Sequence, residues 1–327
     1  MGDQRTRWGF IGSGSIARAF AEGLRAVPGA ELVAVWSPTA ERAQRFAAAF
    51  GARPHATCEG LVEDPEVDVV YVASPHSAHM ENSLAALNAG KPVLCEKPFC
   101  INAAQAEAVI TAARAKGLFL MEAMWTRFFP LMATVREMIA NGAIGEVRIV
   151  AADFGFRADF DAAQRLFNPA LGGGALLDVG VYPVSFASML LGAPSRIAGM
   201  AHLGESGVDE QSAVILGHER GALAICYAAA RTNTAQEATV MGSDGRIRIH
   251  SEWWHPGRMT LTAPGKPDEG FEFPVEGNGY NYEAVEVIRC LREGRLESPV
   301  MPLDETLSIM RTLDQVRAQW GLRYLGE

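Results

Sequence analysis

The chain lacks the residues that mark a secreted, metal-holding or nucleic-acid-binding protein. Its 327 residues include only five cysteines, Cys58, Cys95, Cys100, Cys226 and Cys290. They form no Cys-x-x-Cys pair and stand at no metal-ligand spacing from a histidine, so neither a disulfide framework nor a metal site is expected. An odd, scattered set predicts reduced thiols and a cytoplasmic location. Positive charge is scarce too: 29 Lys and Arg stand against 38 Asp and Glu, a formal charge of -9. No basic patch is visible, which argues against nucleic acid as a partner. No uninterrupted apolar run is long enough to span a bilayer, so no membrane is expected. Residues 1–15 show no apolar signal segment. Internal repeats and low-complexity stretches are absent. What remains is 49% hydrophobic and 20% charged, as in a globular protein with a real core, and the length suits about two domains.

The order of the apolar segments gives the architecture. Strand patterns at 8–11, 32–36, 67–72, 93–95 and 118–121 alternate with helical patterns at 17–26, 39–50, 79–88 and 102–116. The last of these helices starts after Asn102 as its cap. Such alternation predicts a parallel sheet with right-handed crossovers, an α/β domain over 1–121. From 122 the pattern changes. Helices are predicted at 130–140 and 175–191. Strands are predicted at 147–154, 196–202, 212–216, 222–227, 237–241, 246–250 and 259–262, with a hairpin turn at 242–245. Helices at 282–292 and 303–320 close the chain. Residues 122–327 therefore read as an α+β domain with a mostly antiparallel open sheet, whose C-terminal helix is able to pack back on the first domain.

Three motifs carry chemistry. Gly12-Ser13-Gly14-Ser15-Ile16-Ala17 lies between a strand and a helix. The first glycine permits the tight turn, the second a close backbone approach, and Ala17 close helix–strand packing. A helix N-terminus in that place offers amides to a dinucleotide pyrophosphate, so residues 12–16 are candidate cofactor contacts. At the end of the second strand, where an acidic residue favours NAD, stands Ser37. Ser37 can hydrogen-bond a ribose 2′-phosphate and Arg42 can reach it as a charged fork, which predicts NADP with NAD as the alternative. Arg42 also reads as a solvated helix residue.

The second motif is Glu96-Lys97-Pro98. It follows a short buried strand, and the residue before a proline is pushed towards extended backbone. Lys97 should then stand at the carboxyl end of a strand, the edge at which open α/β sheets bind ligands. The third is Gly172-Gly-Gly-Ala-Leu-Leu-Asp178-Val-Gly-Val-Tyr182-Pro183. Asp178 and Tyr182, four apart, share a helix face. Pro183 cannot donate to Val179, so a kink or helix start is expected. The glycine run reads as a place where the chain passes close to a ligand. A plain structural part for Asp178, with Tyr182 simply packed, explains the same residues.

Taken together with Ser74-Pro75-His76 and His79, these motifs occur in the order seen in the Gfo/Idh/MocA oxidoreductases, and the whole chain resembles that family. Met121 to Pro130 and the Asp178/Tyr182 segment look closest to the branch holding dimeric dihydrodiol dehydrogenase and NADP-dependent D-xylose dehydrogenase. Many family members carry His where this chain has Tyr182. The resemblance implies a Rossmann domain with a nicotinamide near Lys97. It implies Lys97 as the catalytic lysine, Tyr182 as acid/base and Asp178 as their polar partner. Ser74, Pro75, His76, His79 and Glu96 would line the cofactor. Trp125 and Arg127 would begin the substrate side, with Trp254 and Asn278 also reaching the pocket. It further implies a sugar or cyclic diol substrate and a homodimer or larger homo-oligomer through the C-terminal sheet. A cofactor-binding sensor without turnover is the competing class.

The chemistry agrees with those roles. Oxidising an alcohol needs a base for its proton, and a free tyrosine, ionising near 10, is a poor one at neutral pH. Bringing it to about 7 takes roughly 4 kcal/mol. An ammonium about 4 Å away supplies roughly that at an effective dielectric of 20. His76 and His79, three apart, have no third ligand at a suitable spacing, so no metal is expected. Trp253 and Trp254 cannot face one side of a strand, so one belongs to the core and the other to a ligand or partner.

Overall fold

The computed structural model describes residues 5–324 and Glu327. Residues 1–4, expected to lead into the first strand, lie outside them. The first unit holds a six-stranded parallel sheet of β1 (Thr6–Ile11), β2 (Ala30–Trp36), β3 (Arg53–Pro54), β4 (Val69–Val72), β5 (Val93–Glu96) and β6 (Leu120–Ala123). Their order in space is 3-2-1-4-5-6, which places the reversal of strand order between β1 and β4. The crossovers are α1 (Ser15–Leu24), α2 (Ala40–Phe50), α3 (Cys58–Val62), α4 (His79–Asn88) and α5 (Ala103–Lys116). α5 begins where its cap predicts: the Asn102 side chain accepts from the Gln105 amide at 2.8 Å.

Apolar spacing explains how α1 seats. Ala17, Phe20, Ala21 and Leu24 are buried on one face. Phe20 stacks on Tyr71 of β4 at 4.1 Å and lies against Trp8 and Phe10 of β1.

The second unit is built on an eight-stranded sheet. Its strands are β7 (Val147–Gly155), β8 (Arg196–Leu203), β9 (Asp209–Gly217), β10 (Leu223–Ala229), β11 (Ala238–Gly242), β12 (Arg246–Ile249), β13 (Arg258–Thr262) and β14 (Glu269–Glu272). They are ordered 14-13-12-11-7-10-9-8. Every pair is antiparallel except β7 with β10. The predicted hairpin joins β11 to β12, with the Gly242 amide donating to Gly245 at 2.8 Å. The helices are α6 (Pro130–Ala140) and α7 (Val181–Leu191), and α7 lies on β7 and β10. Two closing helices follow, α8 (Tyr280–Arg292) and α9 (Leu303–Ala318).

A single cut at 121/122 does not describe this organisation. The first unit runs to Trp125 and also takes in Glu276–Thr306; the second is Thr126–Val275 with Leu307–Glu327. The reason is α8. A Cβ on Gly23 of α1 would meet Asn278 Oδ1 at 2.5 Å, and Asn278 Nδ2 donates to the Ala19 carbonyl at 2.7 Å. It is therefore α8, with only the first residues of α9, that returns to the first unit. Nor is 175–191 one regular helix. Leu176–Gly180 is π-helical and α geometry begins at Val181, two residues before the non-donating Pro183. The stretch Pro169–Leu191 is long and apolar enough to cross a membrane by length and composition, and it is mostly buried inside the fold. Its apolar surface is spent on the core of the second unit.

Under β5 lies a group of buried acids. The Tyr71 hydroxyl donates to Glu96 Oε1 at 2.5 Å, and the Lys97 amide to Glu96 Oε2 at 3.1 Å. Glu283 of α8 is fully buried and neither of its carboxyl oxygens makes a hydrogen bond. Burial, reinforced by the Glu96 charge, holds Glu283 well above the usual carboxylate range. The folded state therefore keeps a proton that the unfolded chain releases near pH 4.5, and the stability tied to that proton is lost as pH rises above this value. Glu283→Gln keeps the shape and removes the titration. Thermal melts from pH 5 to 8 should show the variant gaining on the wild type as pH rises, by roughly 3 °C for about 2 kcal/mol; a constant gap between the two curves would show that Glu283 is ionised.

Candidate active site

The carboxyl edge of the parallel sheet collects the residues of the first unit. Register pairs Ile11 with Val72 and Val72 with Cys95, so the loops after β1, β4 and β5 leave side by side. Gly12 has φ +115°, and a Cβ there would lie 2.4 Å from the Ala73 carbonyl oxygen. Only glycine fits this approach. The chain then turns into α1 at Gly14, which gives the helix no side-chain cap. A Cβ on Gly14 would meet nothing within 4 Å. Uncapped N-terminal amides beneath an open loop fit the pyrophosphate of a dinucleotide. Ser13, Gly14, Ser15 and Ile16 are all at least partly accessible there, Ser37 follows β2 in a buried position, and Arg42 is exposed on α2.

Lys97 is half-buried and follows Glu96 at the end of β5, as its motif predicts, with a cis bond to Pro98. His79 holds this turn from behind. It is fully buried, with Nδ1 at 2.8 Å from the Pro98 carbonyl and Nε2 at 2.9 Å from that of Ser74. Burial pushes its pKa down to about 4, against carbonyls that favour the charged ring, so it is neutral at physiological pH. Its place is between two backbone segments of the loops, with no face towards solvent. His76 is buried beside it, rings 5.7 Å apart. Pro75 is exposed, and the Ser74 hydroxyl accepts from Asn82 Nδ2 at 2.9 Å.

In the second unit the helical stretch 176–191 presents Asp178 and Tyr182, 7% and 6% exposed. Arg165 donates to Asp178 Oδ1 at 2.9 Å. Tyr182 meets Phe154 of β7 edge-on at 5.3 Å, and Phe154 stacks flat on Trp254 at 4.8 Å. Trp253 is the core partner: it is fully buried and donates to the Asp153 carbonyl at 2.6 Å. The two tryptophans separate because they lie in a turn, outside any strand. Tyrosine, carboxylate, arginine and two aromatic faces thus form one cluster. It can hold a ring-shaped hydroxylated molecule and move a proton at the tyrosine oxygen.

Other predicted contacts are occupied structurally. Arg127 is buried, donating from Nε to Ser185 Oγ at 3.0 Å and from Nη2 to the Ser185 carbonyl at 2.7 Å. It thereby grips α7 three residues beyond Tyr182. Trp125 belongs to the first unit and stacks on Tyr280 at 4.2 Å. Asn278 spends its amide on α1. The glycine run is also explained without a ligand. A Cβ on Gly173 would meet the Arg165 and Leu166 carbonyl oxygens at 2.6 and 2.7 Å, and one on Gly174 would meet Asp209 Oδ1 at 2.2 Å. Sequence reasoning missed Asn82, Phe154, Arg165 and Asp209. Phe154 alone had a signal, as the last residue of an alternating strand.

Residues 6–124 match the family described as oxidoreductases with an NAD-binding Rossmann fold, and 132–248 match the Gfo/Idh/MocA C-terminal domain. The chain is 37% identical over 331 residues to mouse trans-1,2-dihydrobenzene-1,2-diol dehydrogenase, covering 97% of this chain and 98% of that one. It is 36% identical over 363 residues to the D-xylose 1-dehydrogenase (NADP(+)) of Hypocrea jecorina, covering 97% and 93%. Among solved structures, a 3-ketoreductase from Actinomadura kijaniata in complex with NADP and TDP-benzene superposes with a TM-score of 0.87 at 29% identity, covering 96% and 97%. The aldose-aldose oxidoreductase of Caulobacter crescentus complexed with glycerol gives 0.88 at 28%, covering 98% and 100%. With both of its domains matched and its phosphate loop built as that fold requires, the chain belongs to the Gfo/Idh/MocA family of oxidoreductases.

Proposed function

We propose that this chain is an NADP-dependent oxidoreductase that transfers a hydride between a secondary or anomeric alcohol of a sugar or cyclic diol and the nicotinamide. The observation that carries the reading is Tyr182, whose ring packs edge-on against Phe154, itself stacked on Trp254, one turn from an ion-paired Asp178. Aromatic faces suit the C–H surface of a sugar or diol ring, and the carboxylate suits its hydroxyls. The dihydrodiol and xylose dehydrogenases named above support the substrate class, and the xylose enzyme and the ketoreductase complex support NADP.

A bound nicotinamide accepts or delivers the hydride. Tyr182 takes the alcohol proton in oxidation and returns one in reduction. The Lys97 ammonium stabilises negative charge on oxygen during that transfer. Asp178, tied to Arg165, orients the substrate. Gly12, Ser13, Gly14, Ser15 and Ile16 cradle the pyrophosphate, and Ser37 with Arg42 receives the 2′-phosphate. Ser74, Pro75, His76 and Glu96 shape the bed of the nicotinamide, with His79 behind them. The five cysteines, all free and buried, suit a reducing cytoplasm.

The second unit also carries an interaction surface. Register sets Ala198, Ile215 and Ile225 in one row across β8, β9 and β10, and Met200, Ala213 and Tyr227 in the next. Met200 is 82% exposed, Ile215 50%, Ile225 40% and Tyr227 38%. An uncharged apolar face of this kind suits a second copy of the same chain, related by a twofold axis.

Lys97→Met and Tyr182→Phe should each lower turnover by about 100-fold or more while NADP binding, followed by fluorescence titration, stays within about threefold of wild type. Wild-type turnover in Tyr182→Phe would move the proton role to another group. Ser37→Asp should shift the NADP-to-NAD preference towards NAD by at least about tenfold, or about 1.4 kcal/mol, in paired kcat/KM measurements. Ile225→Glu should halve the mass seen by sedimentation velocity; an unchanged mass would exclude this face.

A further inference from the structure

Asp209, the first residue of β9, is fully buried and belongs to no motif in the sequence. Its Oδ2 accepts from the Leu176 amide at 2.6 Å. Leu176 opens the helical stretch that carries Asp178 and Tyr182. Its Oδ1 makes no hydrogen bond and fills the place a Gly174 side chain would take, 2.2 Å from the position of that Cβ. Gly174, at φ +112°, starts the stretch by accepting from the Asp178 amide at 3.2 Å. Ala175, the residue before Leu176, has no side-chain group able to cap. A strand residue thus supplies from across the unit the cap that the local sequence lacks.

We propose that Asp209 is a positioning residue for the reaction: by holding the Leu176 amide it fixes where the stretch begins, and so where Asp178 and Tyr182 stand. This rests on the reading of Tyr182 as the proton carrier. Four residues separate Asp178 from Tyr182, so a slip of one residue at the start rotates both together by about 100°. It also gives the glycines of the motif a reason: Gly174 is glycine because the Asp209 carboxyl lies against its Cα.

The protonation state follows from the surroundings. Burial pushes Asp209 up to about 7, opposed by the Leu176 amide and its own backbone N–H. Its charge acts on Tyr324, whose buried hydroxyl makes no hydrogen bond. Below pH 7 Asp209 is chiefly a neutral acid with a carbonyl facing Leu176, a shape that asparagine copies. The unfolded carboxyl ionises near 4, so the stability tied to the folded state's proton is lost as pH rises from about 4 to about 7.

Two variants decide the matter. Asp209→Ala, which removes the acceptor, should lower kcat by about tenfold or more with NADP affinity unchanged. Asp209→Asn should stay within about threefold of wild type, because it keeps the acceptor. Wild-type kcat in Asp209→Ala, or equal damage in both variants, overturns the proposal. Should Asp209→Ala fail to fold, hydrogen exchange of the peptide spanning 174–182 settles it. After division by intrinsic rates, its protection should fall between pH 5 and 7 in the wild type and stay level in Asp209→Asn; parallel courses overturn the proposal. Tyr182→Phe is assayed alongside. If that variant keeps its rate, the reading of Tyr182 fails; if it loses its rate while Asp209→Ala does not, only the role of Asp209 fails.

Discussion

The close approach of Gly12 to the Ala73 carbonyl is the constraint on which the first unit depends. Two neighbouring parallel strands end there, and the space between them holds no side chain. Because β1 stops against β4 in this way, the next turn must swing outward before α1 can begin. That swing leaves Gly14 open and the first amides of α1 without a cap. The anion site is therefore a by-product of strand packing. A bulkier residue at position 12 would push β1 from β4 before it touched any ligand. Phe20 and Tyr71 secure the same arrangement from below, since their stacked rings tie α1 to β4.

The second unit solves a different problem. The stretch 176–191 is almost wholly apolar, and apolar packing alone is weak at fixing the rotation of a helix about its axis. Polar contacts from three other places supply that rotation. Asp209 holds the Leu176 amide, Arg165 holds Asp178, and Arg127 holds Ser185. Each is directional, and those of Asp209 and Arg127 are buried and so expensive to leave unmade. Together they grip the stretch at its first residue, two residues on, and near its middle beyond Tyr182.

What the sequence disclosed and what it hid divide along the same line. Local signals were legible. The Asn102 cap sets the start of α5, Gly12 and Gly14 mark the phosphate turn, and the 242–245 turn joins a true hairpin. Elements whose reason lies elsewhere in the chain were not. α3 has five residues and stands on a Thr57 cap and tertiary packing, while β14 is polar and pairs only with β13. The return of 276–306 to the first unit depends on Gly23 leaving room for Asn278, a contact between residues 255 positions apart. The site shows the same split. Spacing put Asp178 and Tyr182 on one helix face and the resemblance supplied their expected roles, but Arg165 lies in a loop whose path no local pattern dictates. The structural reason for Gly173 and Gly174 was hidden because their neighbours, the carbonyls of 165 and 166 and the carboxyl of Asp209, lie outside the motif.

Burial and hydrogen-bond partners decide how charge is distributed near Lys97. A buried ionised group needs partners, and a group without them gives up its charge. His79 is enclosed and neutral, and Glu283 keeps its proton. Glu96 differs because two donors, the Tyr71 hydroxyl and the Lys97 amide, point at its oxygens. Of these acids it is the one suited to remain an anion, and its own charge helps keep Glu283 neutral. The Glu96 carboxylate is fixed by the backbone of the residue whose side chain is the ammonium. The Lys97 backbone is anchored through its amide. The anchor fixes where the ammonium stem begins.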